Sequence, residues 1–289
     1  MSKRAKPVYV YYPDNLGEFL QLRRRKPDAL VYAGGTFILK GIESRPVALP
    51  QEIISLQWVE ELKRVSRTDR YVELGASCSL SRIVEVGRNV LPVSFIRAFS
   101  TMVPLGVRNL ATIGGNLCVA EHVLTVYPLL LAVDGRVELR RHGNARWIPA
   151  GRLRDESGGL TLETGEIVTR VRIPPESWNV QVFTAFGRPY IRDSDPVVFA
   201  GLAKTDTGIV DDFRMVFSAH DRLLFRDREL EADLVGRRAP LPRREAQTFM
   251  RRLQAILADW GAEGSGQLSS LQRRRIAGSA RKLIARMSA

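Results

Sequence analysis

Only two cysteines, Cys78 and Cys118, occur in the 289 residues, and they do not form a Cys-x-x-Cys pair. A disulfide framework, a structural zinc or an iron–sulfur cluster needs several thiolates at close spacing, so none can be assembled from this chain alone. Both cysteines are expected to be small buried residues. Histidine is as scarce: His122, His142 and His220 are scattered, and no Glu-x-x-His or His-Glu-x-x-His spacing exists, which leaves no expected metal site. Long apolar runs are missing too. No stretch approaches the ~18 apolar residues of a membrane span, and the basic start Met1–Pro7 is not followed by a signal-type apolar region, so a cytoplasmic protein is expected. Gly-x-Gly-x-x-Gly after a strand and Gly-x-x-x-x-Gly-Lys-Ser/Thr are both absent, which removes support for a nicotinamide-type doubly wound domain or a nucleotide triphosphatase. No Ser–His–Asp or Cys–His pairing stands out, and no catalytic side chain is expected.

Acid is in short supply against base: 31 Asp and Glu face 44 Lys and Arg, a net charge of +13. Such an excess can signal nucleic-acid binding through counterion release. Only seven of these bases are Lys, however, and the Arg are spread along the whole chain. No aromatic stripe alternates with them as a single-strand platform requires. The expectation is no nucleic acid, and a solvated Arg-rich surface that also suits acidic partner proteins. With 45% hydrophobic and 26% charged residues, the chain has the material for two ordinary globular cores.

What is present is a pair of glycine-rich stretches, Val31-Tyr-Ala-Gly-Gly-Thr36 and Ala111-Thr-Ile-Gly-Gly-Asn116. Each follows a short apolar run and ends in a small polar side chain. Two adjacent glycines can take positive φ without a Cβ penalty and turn backbone N–H groups inward as a nest for phosphate oxygens. Thr36, Thr112 and Asn116 add side-chain donors at the rim. One Gly-Gly would be an ordinary turn; two in the same local context point to a diphosphate.

Around them, Val8–Tyr12 reads as a strand, and Asn15 and Glu18 have capping-box spacing for a helix with Leu16, Phe19 and Leu20 on one face. Strands are expected at Ile53–Ile54, Tyr71–Leu74, Arg136–Leu139 and Glu166–Ile173. Helices are expected after Ser79 and over Val93–Val103, and the run Tyr127–Val133 should be buried. Pro174–Ser177 is the expected domain boundary. Beyond it, Gln181–Phe186, Val197–Ala203 and Phe213–Ser218 read as strands. The i, i+3, i+4, i+7 spacing of Ala246 to Trp260 and of Ile276 to Met287 gives two amphipathic helices, expected on one face of an antiparallel sheet.

Ala33-Gly-Gly-Thr36 and Val107-Arg-Asn-Leu-Ala-Thr-Ile-Gly-Gly-Asn-Leu117 resemble the two loops that hold the FAD diphosphate in flavoprotein subunits of molybdenum hydroxylases, the medium subunits of carbon monoxide dehydrogenase and the FAD subunits of bacterial xanthine dehydrogenases. The second string is the specific one. Gly187-Arg188, Ser269-Ser270 and Arg273–Arg275 extend the likeness into the second half. The resemblance implies an α+β chain: residues 1–176 form a PCMH-type, vanillyl-alcohol-oxidase-like FAD-binding domain of two α/β subdomains. Residues 177–289 form a small C-terminal flavoprotein domain, with a three-stranded antiparallel sheet, closing over the flavin. It also implies that Ala33, Gly34, Gly35 and Thr36, together with Thr112, Ile113, Gly114, Gly115 and Asn116, carry the diphosphate. Arg108 is the arginine before the second loop, and Tyr190 stacks on the flavin. Two departures are visible. Phe37 stands where the family often has Asp, and Glu121, His122 and Thr125 stand where a Ser-Pro and a later Asp are usual, with Glu121 as the replacement carboxylate. The implied activity is electron transfer: FAD takes electrons from a [2Fe–2S] subunit beside a molybdopterin-containing large subunit and passes them to NAD, a quinone or oxygen. A stand-alone FAD oxidoreductase and a flavin-free assembly protein that keeps the fold remain as alternatives.

Overall fold

The computed structural model describes residues 7–38, 49–119, 126–155, 158–187, 195–219, 223–260 and 267–287. The first layer is small: β1 (Tyr9–Tyr11), α1 (Leu16–Arg25), β2 (Leu30–Tyr32) and β3 (Glu52–Ser55). The three strands form a parallel sheet in the order β1-β3-β2. Asn15 caps α1 as its spacing predicts, its Oδ1 accepting from the Glu18 N–H at 2.9 Å. The return bond lands one residue earlier than a capping box would place it, from the Asp14 N–H to Glu18 Oε2 at 2.8 Å. Phe19 drops from this helix into a core with Ala29, Ile54, Leu56, Val59 and Leu62.

Next come β4 (Val65–Arg67), β5 (Val72–Gly75), α2 (Leu80–Gly87), α3 (Val93–Thr101), α4 (Leu105–Leu110), α5 (Ile113–Cys118), α6 (Val126–Ala132), β6 (Arg136–Arg141), β7 (Asn144–Pro149) and β8 (Ile167–Ile173). The strands make an antiparallel sheet ordered β4-β5-β8-β6-β7. Alternation along them separates two chemistries. Leu74, Val137, Val171 and Ile173 enter a core with Phe95 and Phe99 of α3 and Leu129 and Leu130 of α6. On the opposite face, Arg172 Nε meets Glu73 Oε1 at 2.6 Å, Arg170 Nε meets Glu138 Oε2 at 2.8 Å, and the Arg172 guanidinium lies 3.7 Å over the Trp147 ring. These cross-strand pairs explain how the polar Asn-Ala-Arg-Trp-Ile-Pro segment, which no alternation marks as a strand, is held at the sheet edge.

The second half contains β9 (Val180–Phe186), β10 (Val197–Asp206), β11 (Ile209–Ala219), β12 (Leu223–Arg226), α7 (Arg228–Ala232), α8 (Arg243–Asp259) and α9 (Ser270–Arg286). Its antiparallel sheet has four strands, β12-β11-β10-β9, rather than the three expected. The added strand is only four residues long and gains its place by pairing with β11. The two C-terminal helices lie on one face of this sheet, as their spacing predicts, and helices of the first half cover the other. On one, Phe199, Phe213 and Phe217 pack with Phe249 and Leu253 of α8 and with Ile276 and Leu283 of α9. On the other, Phe183, Val198, Ala200, Leu202 and Val216 join the core built on α3 and α6. Polar contacts reinforce this junction. Arg214 Nη1 donates to the Ala132 carbonyl and to Asp134 Oδ2, both at 2.9 Å, and Arg226 Nη1 donates to the Leu131 carbonyl at 2.6 Å and to Asp134 Oδ1 at 2.7 Å. Two cations thus donate to carbonyls at the α6 C-terminus, where the helix dipole favours them.

Candidate functional site

The first glycine stretch leaves the C-terminal end of β2. Gly35 has φ +65°, the left-handed bend its sequence predicts. The N–H groups of Gly34, Gly35 and Thr36 have no acceptor among the described residues. Ala33 to Thr36 are half-buried, and Phe37 is exposed beside them. Gly34 is required for a different reason, close approach: a Cβ there would lie 1.8 Å from the Leu110 carbonyl oxygen. Leu110 ends α4 and leads directly into the second stretch, so the fold brings the two glycine segments, 80 positions apart from Gly34 to Gly114, into direct backbone contact. Gly35 is covered from its own strand, since a Cβ there would meet Tyr32 Oη at 2.3 Å.

The second stretch departs from the expected turn. Ile113 to Cys118 is helix α5, with Thr112 as its N-cap, and neither Gly114 nor Gly115 has positive φ. Thr112 Oγ1 accepts from the Gly115 N–H at 3.1 Å. The N–H of Ile113 goes to the Cys78 carbonyl at 3.2 Å, that of Gly114 to the Ala76 carbonyl at 2.8 Å, and that of Asn116 to the Thr112 carbonyl at 2.9 Å. No nest is left open here. The sequence signal was a Thr ahead of the Gly pair, an N-cap preference, which the apolar run from Leu110 to Ile113 disguised as a strand end. Gly114 earns its place by closeness, as a Cβ would lie 2.8 Å from both Cβ and the carbonyl oxygen of Ala76. Ile113 is fully buried beneath it, while Gly115 is exposed. Asn116 reaches Met102 Sδ with its Nδ2 at 3.3 Å, and its Oδ1 is buried without a partner among the described residues.

Sequence reasoning missed the residue that fixes the other end of α5. Arg154 Nη2 donates to the carbonyls of Leu117 and Val119, both at 2.7 Å, and Nη1 to that of Gly158 at 2.8 Å; its guanidinium lies 5.7 Å over the Tyr127 ring. Burial lowers its pKa, partly offset by Tyr127, Cys118 and Asp155. Only contacts across 37 positions reveal it, and no local pattern could. Burial also pushes the thiols of Cys78 and Cys118 up to about 11, so both are neutral near pH 7. Arg108 is committed elsewhere than to the glycine segments. Its Nη1 donates to the Ser100 carbonyl at the end of α3, and its Nε is buried without a partner among the described residues.

Glu121 and Tyr190, with His122, Thr125 and Arg188, lie outside the described residues. The residue after the second of these segments is anchored: Ser269 Oγ donates to Asp195 Oδ2 at 3.1 Å, and Arg275 Nη1 donates to the Asp195 carbonyl at 2.6 Å. Among the described residues no three His, Cys, Asp or Glu side chains converge as a metal site, and no helix is long and apolar enough to cross a membrane.

Among the described residues the arrangement offers free N–H donors at one bend, a close-packed second segment and an orphaned acceptor beside it. The family described as "FAD binding domain in molybdopterin dehydrogenase" matches residues 4–176. The chain is 28% identical to xanthine dehydrogenase 2 of Arabidopsis thaliana over 249 residues, 78% of this chain and 18% of that one. It is 24% identical to the xanthine dehydrogenase FAD-binding subunit of Escherichia coli O157:H7 over 260 residues, 88% of this chain and 86% of that one. The chain therefore spans less than a fifth of the length of the first curated relatives it matches. In fold it is similar to a chain of carbon monoxide dehydrogenase from Hydrogenophaga pseudoflava, with a TM-score of 0.82 at 19% identity and 98% of each chain covered.

Proposed function

The chain belongs to the family of FAD-binding domains of molybdopterin dehydrogenases, and from that premise we propose that it is the FAD-binding, electron-transferring component of a multi-subunit molybdenum hydroxylase. The observation that carries the reading is the backbone contact of Gly34 with Leu110. It joins the two glycine segments into one rim, with the N–H groups of Gly34, Gly35 and Thr36 on one side and Asn116 Oδ1 on the other, all without a partner among the described residues. That donor set fits the group. N–H donors suit anionic diphosphate oxygens, and a lone amide oxygen suits a hydroxyl of the ribityl or ribose portions.

When bound, FAD supplies the redox chemistry, and the protein supplies position and electrostatics. In this reading the bend from Ala33 to Thr36 holds the diphosphate. Thr112, Ile113 and Gly114 keep α5 seated so that Gly115 and Asn116 face the ligand. Phe37 adds an exposed apolar ring at the rim, and Arg108 supports the site by tying α4 to α3. Glu121 and Tyr190 are assigned to the ribose and the flavin ring by family resemblance. Residues 1–176 are taken as the FAD-binding domain and 177–289 as the C-terminal flavoprotein domain. The two cysteines present cannot ligate a [2Fe–2S] cluster; the family resemblance supplies the electron donor as a [2Fe–2S] subunit beside a molybdopterin-containing large subunit, with NAD among the candidate acceptors.

The test is the absorbance of the purified protein followed by titration with FAD and FMN, and then co-purification from the native cell with iron and molybdenum analysis. Stoichiometric FAD, FMN bound far more weakly, and co-eluting iron and molybdenum are expected. Turnover of an organic substrate by the lone protein would instead indicate a stand-alone oxidoreductase. One observation favours a flavin-free assembly role: the N–H groups of Ile113, Gly114, Gly115 and Asn116 are all internally bonded. A colourless protein that takes up no FAD would leave that reading standing.

A further inference from the structure

Tyr32 lies within the first glycine stretch, yet neither the motif nor the resemblance gives it a role. It is the last residue of β2, and its backbone is pinned there by the Leu56 N–H, which donates to the Tyr32 carbonyl at 2.8 Å. From that fixed point its side chain folds forward over the bend. A Cβ on Gly35 would lie 2.3 Å from Tyr32 Oη and 2.6 Å from ring atoms Cε2 and Cζ, so the hydroxyl rests against the Gly35 backbone. Tyr32 is only half-buried, and its hydroxyl has no hydrogen-bond partner among the described residues. A Tyr O–H is both donor and acceptor, so at this position it can serve a ligand lying on the bend.

The distribution of donors around the rim gives this hydroxyl a purpose. All four N–H groups from Ile113 to Asn116 are consumed inside α5 or by β5–α2 loop carbonyls, so the second segment keeps only the Thr112 N–H without an acceptor among the described residues. Most of the burden falls on the N–H groups of Gly34, Gly35 and Thr36, which have no acceptor among the described residues, and the Tyr32 hydroxyl sits at that same bend. We infer that Tyr32 is a further FAD-binding residue whose O–H donates to a diphosphate oxygen above Gly35. The inference rests on the FAD reading above. It also gives position 35 two independent reasons to be glycine, the positive φ and the ring stacked on its Cα.

A hydrogen bond to an ionised oxygen is worth enough to change affinity about ten- to hundred-fold when its donor is removed. The experiment compares the full-length wild-type protein with Tyr32→Phe, which deletes one oxygen and keeps the ring, and with Tyr32→Ala, which deletes the ring. FAD affinity is read by quenching of flavin fluorescence, and the phosphorus resonances of bound FAD by ³¹P NMR. The proposal expects Tyr32→Phe to bind FAD at least about ten-fold more weakly with a shifted ³¹P signal, and Tyr32→Ala to bind no better than Tyr32→Phe. Unchanged affinity in Tyr32→Phe, or weakened affinity with unmoved phosphorus signals, would overturn it. Tighter binding by Tyr32→Ala would overturn it too, identifying the ring as a plug over the bend. Failure of the wild-type protein to take up FAD would sink the FAD reading itself and the Tyr32 role with it, whereas wild-type binding with an indifferent Tyr32→Phe sinks only the latter.

Discussion

The contact between Gly34 and Leu110 can be broken with a single methyl group. In Gly34→Ala the new Cβ would start 1.8 Å from the Leu110 carbonyl oxygen and 2.6 Å from its carbon. The two backbones have to separate by about 1.5 Å before carbon and oxygen reach ordinary van der Waals distance. Neither atom belongs to a flexible side chain, so the strain falls on the bend and on the end of α4, at a cost of about 1–3 kcal/mol typical of overpacking. The effect on the ligand should be larger than on the fold. Moving the bend by more than an ångström from α5 removes at least one charge-assisted hydrogen bond to the diphosphate, worth about 1.5–3 kcal/mol, so FAD affinity should fall at least about ten-fold. Gly106 provides the control, since it lies in α4 nearby and a Cβ there would meet nothing within 4 Å. Gly106→Ala should change stability by less than about 1 kcal/mol and leave FAD affinity alone. Urea unfolding followed by circular dichroism gives the first quantity and flavin fluorescence titration the second. Stoichiometric, undiminished FAD binding by a folded Gly34→Ala protein would refute the single-rim argument.

Three further outcomes follow from contacts away from the rim. Arg154→Ala should lower stability by about 2–4 kcal/mol, because two α5 carbonyls and one loop carbonyl lose a charged donor together; urea unfolding measures it, and an unchanged midpoint would show that the clamp is idle. Glu166 is buried, and the hydrogen bonds from Arg146 at 2.7 and 2.8 Å outweigh its desolvation and lower its pKa. A carboxylate with a depressed folded pKa contributes stability above its unfolded value, and that contribution is lost as pH falls through the folded pKa. Wild-type stability should therefore drop below pH ~4.5 more steeply than that of Glu166→Gln, and parallel pH profiles would exclude Glu166 as a source. Cleavage between Pro174 and Ser177 should leave two fragments that co-elute on size exclusion, since the core built on α3 and α6 includes Phe183, Val198 and Val216 from beyond the cut. Fragments that separate without denaturant would contradict that shared core.

The elements legible in the sequence were those whose signals are local. Asn15 and Ser79 cap the helices that their spacing announces, and the periodic apolar positions Phe249, Leu253 and Leu257 of α8 and Ile276, Ala280 and Leu283 of α9 are buried. What was hidden depends on distant partners. β7 exists because β6 and the Arg172–Trp147 stack hold it, and β12 because β11 does. The glycine segments were visible as a pair, yet their different conformations were not. Gly35 bends because nothing continues β2, whereas Gly114 is drawn into a helix by the Thr112 cap and the surface of Ala76. Tyr32 and Arg154 matter through where their tips end, which a reading of neighbouring residues does not reach.

The β9–β12 sheet, buried on both faces, sets an order of events during synthesis. The helices α3 and α6 are complete by Ala132, yet the β10 and β11 residues that cover them extend to Val216. At about 5–20 residues per second, the 84 intervening residues (216 minus 132) take roughly 4 to 17 seconds to emerge. Throughout that interval the nascent chain carries Phe95, Phe99, Leu129 and Leu130 without the sheet that will shelter them. The ribosome-bound intermediate is therefore a natural client for a holdase chaperone, and truncations that end between α6 and β11 should be recovered from inclusion bodies rather than from the supernatant.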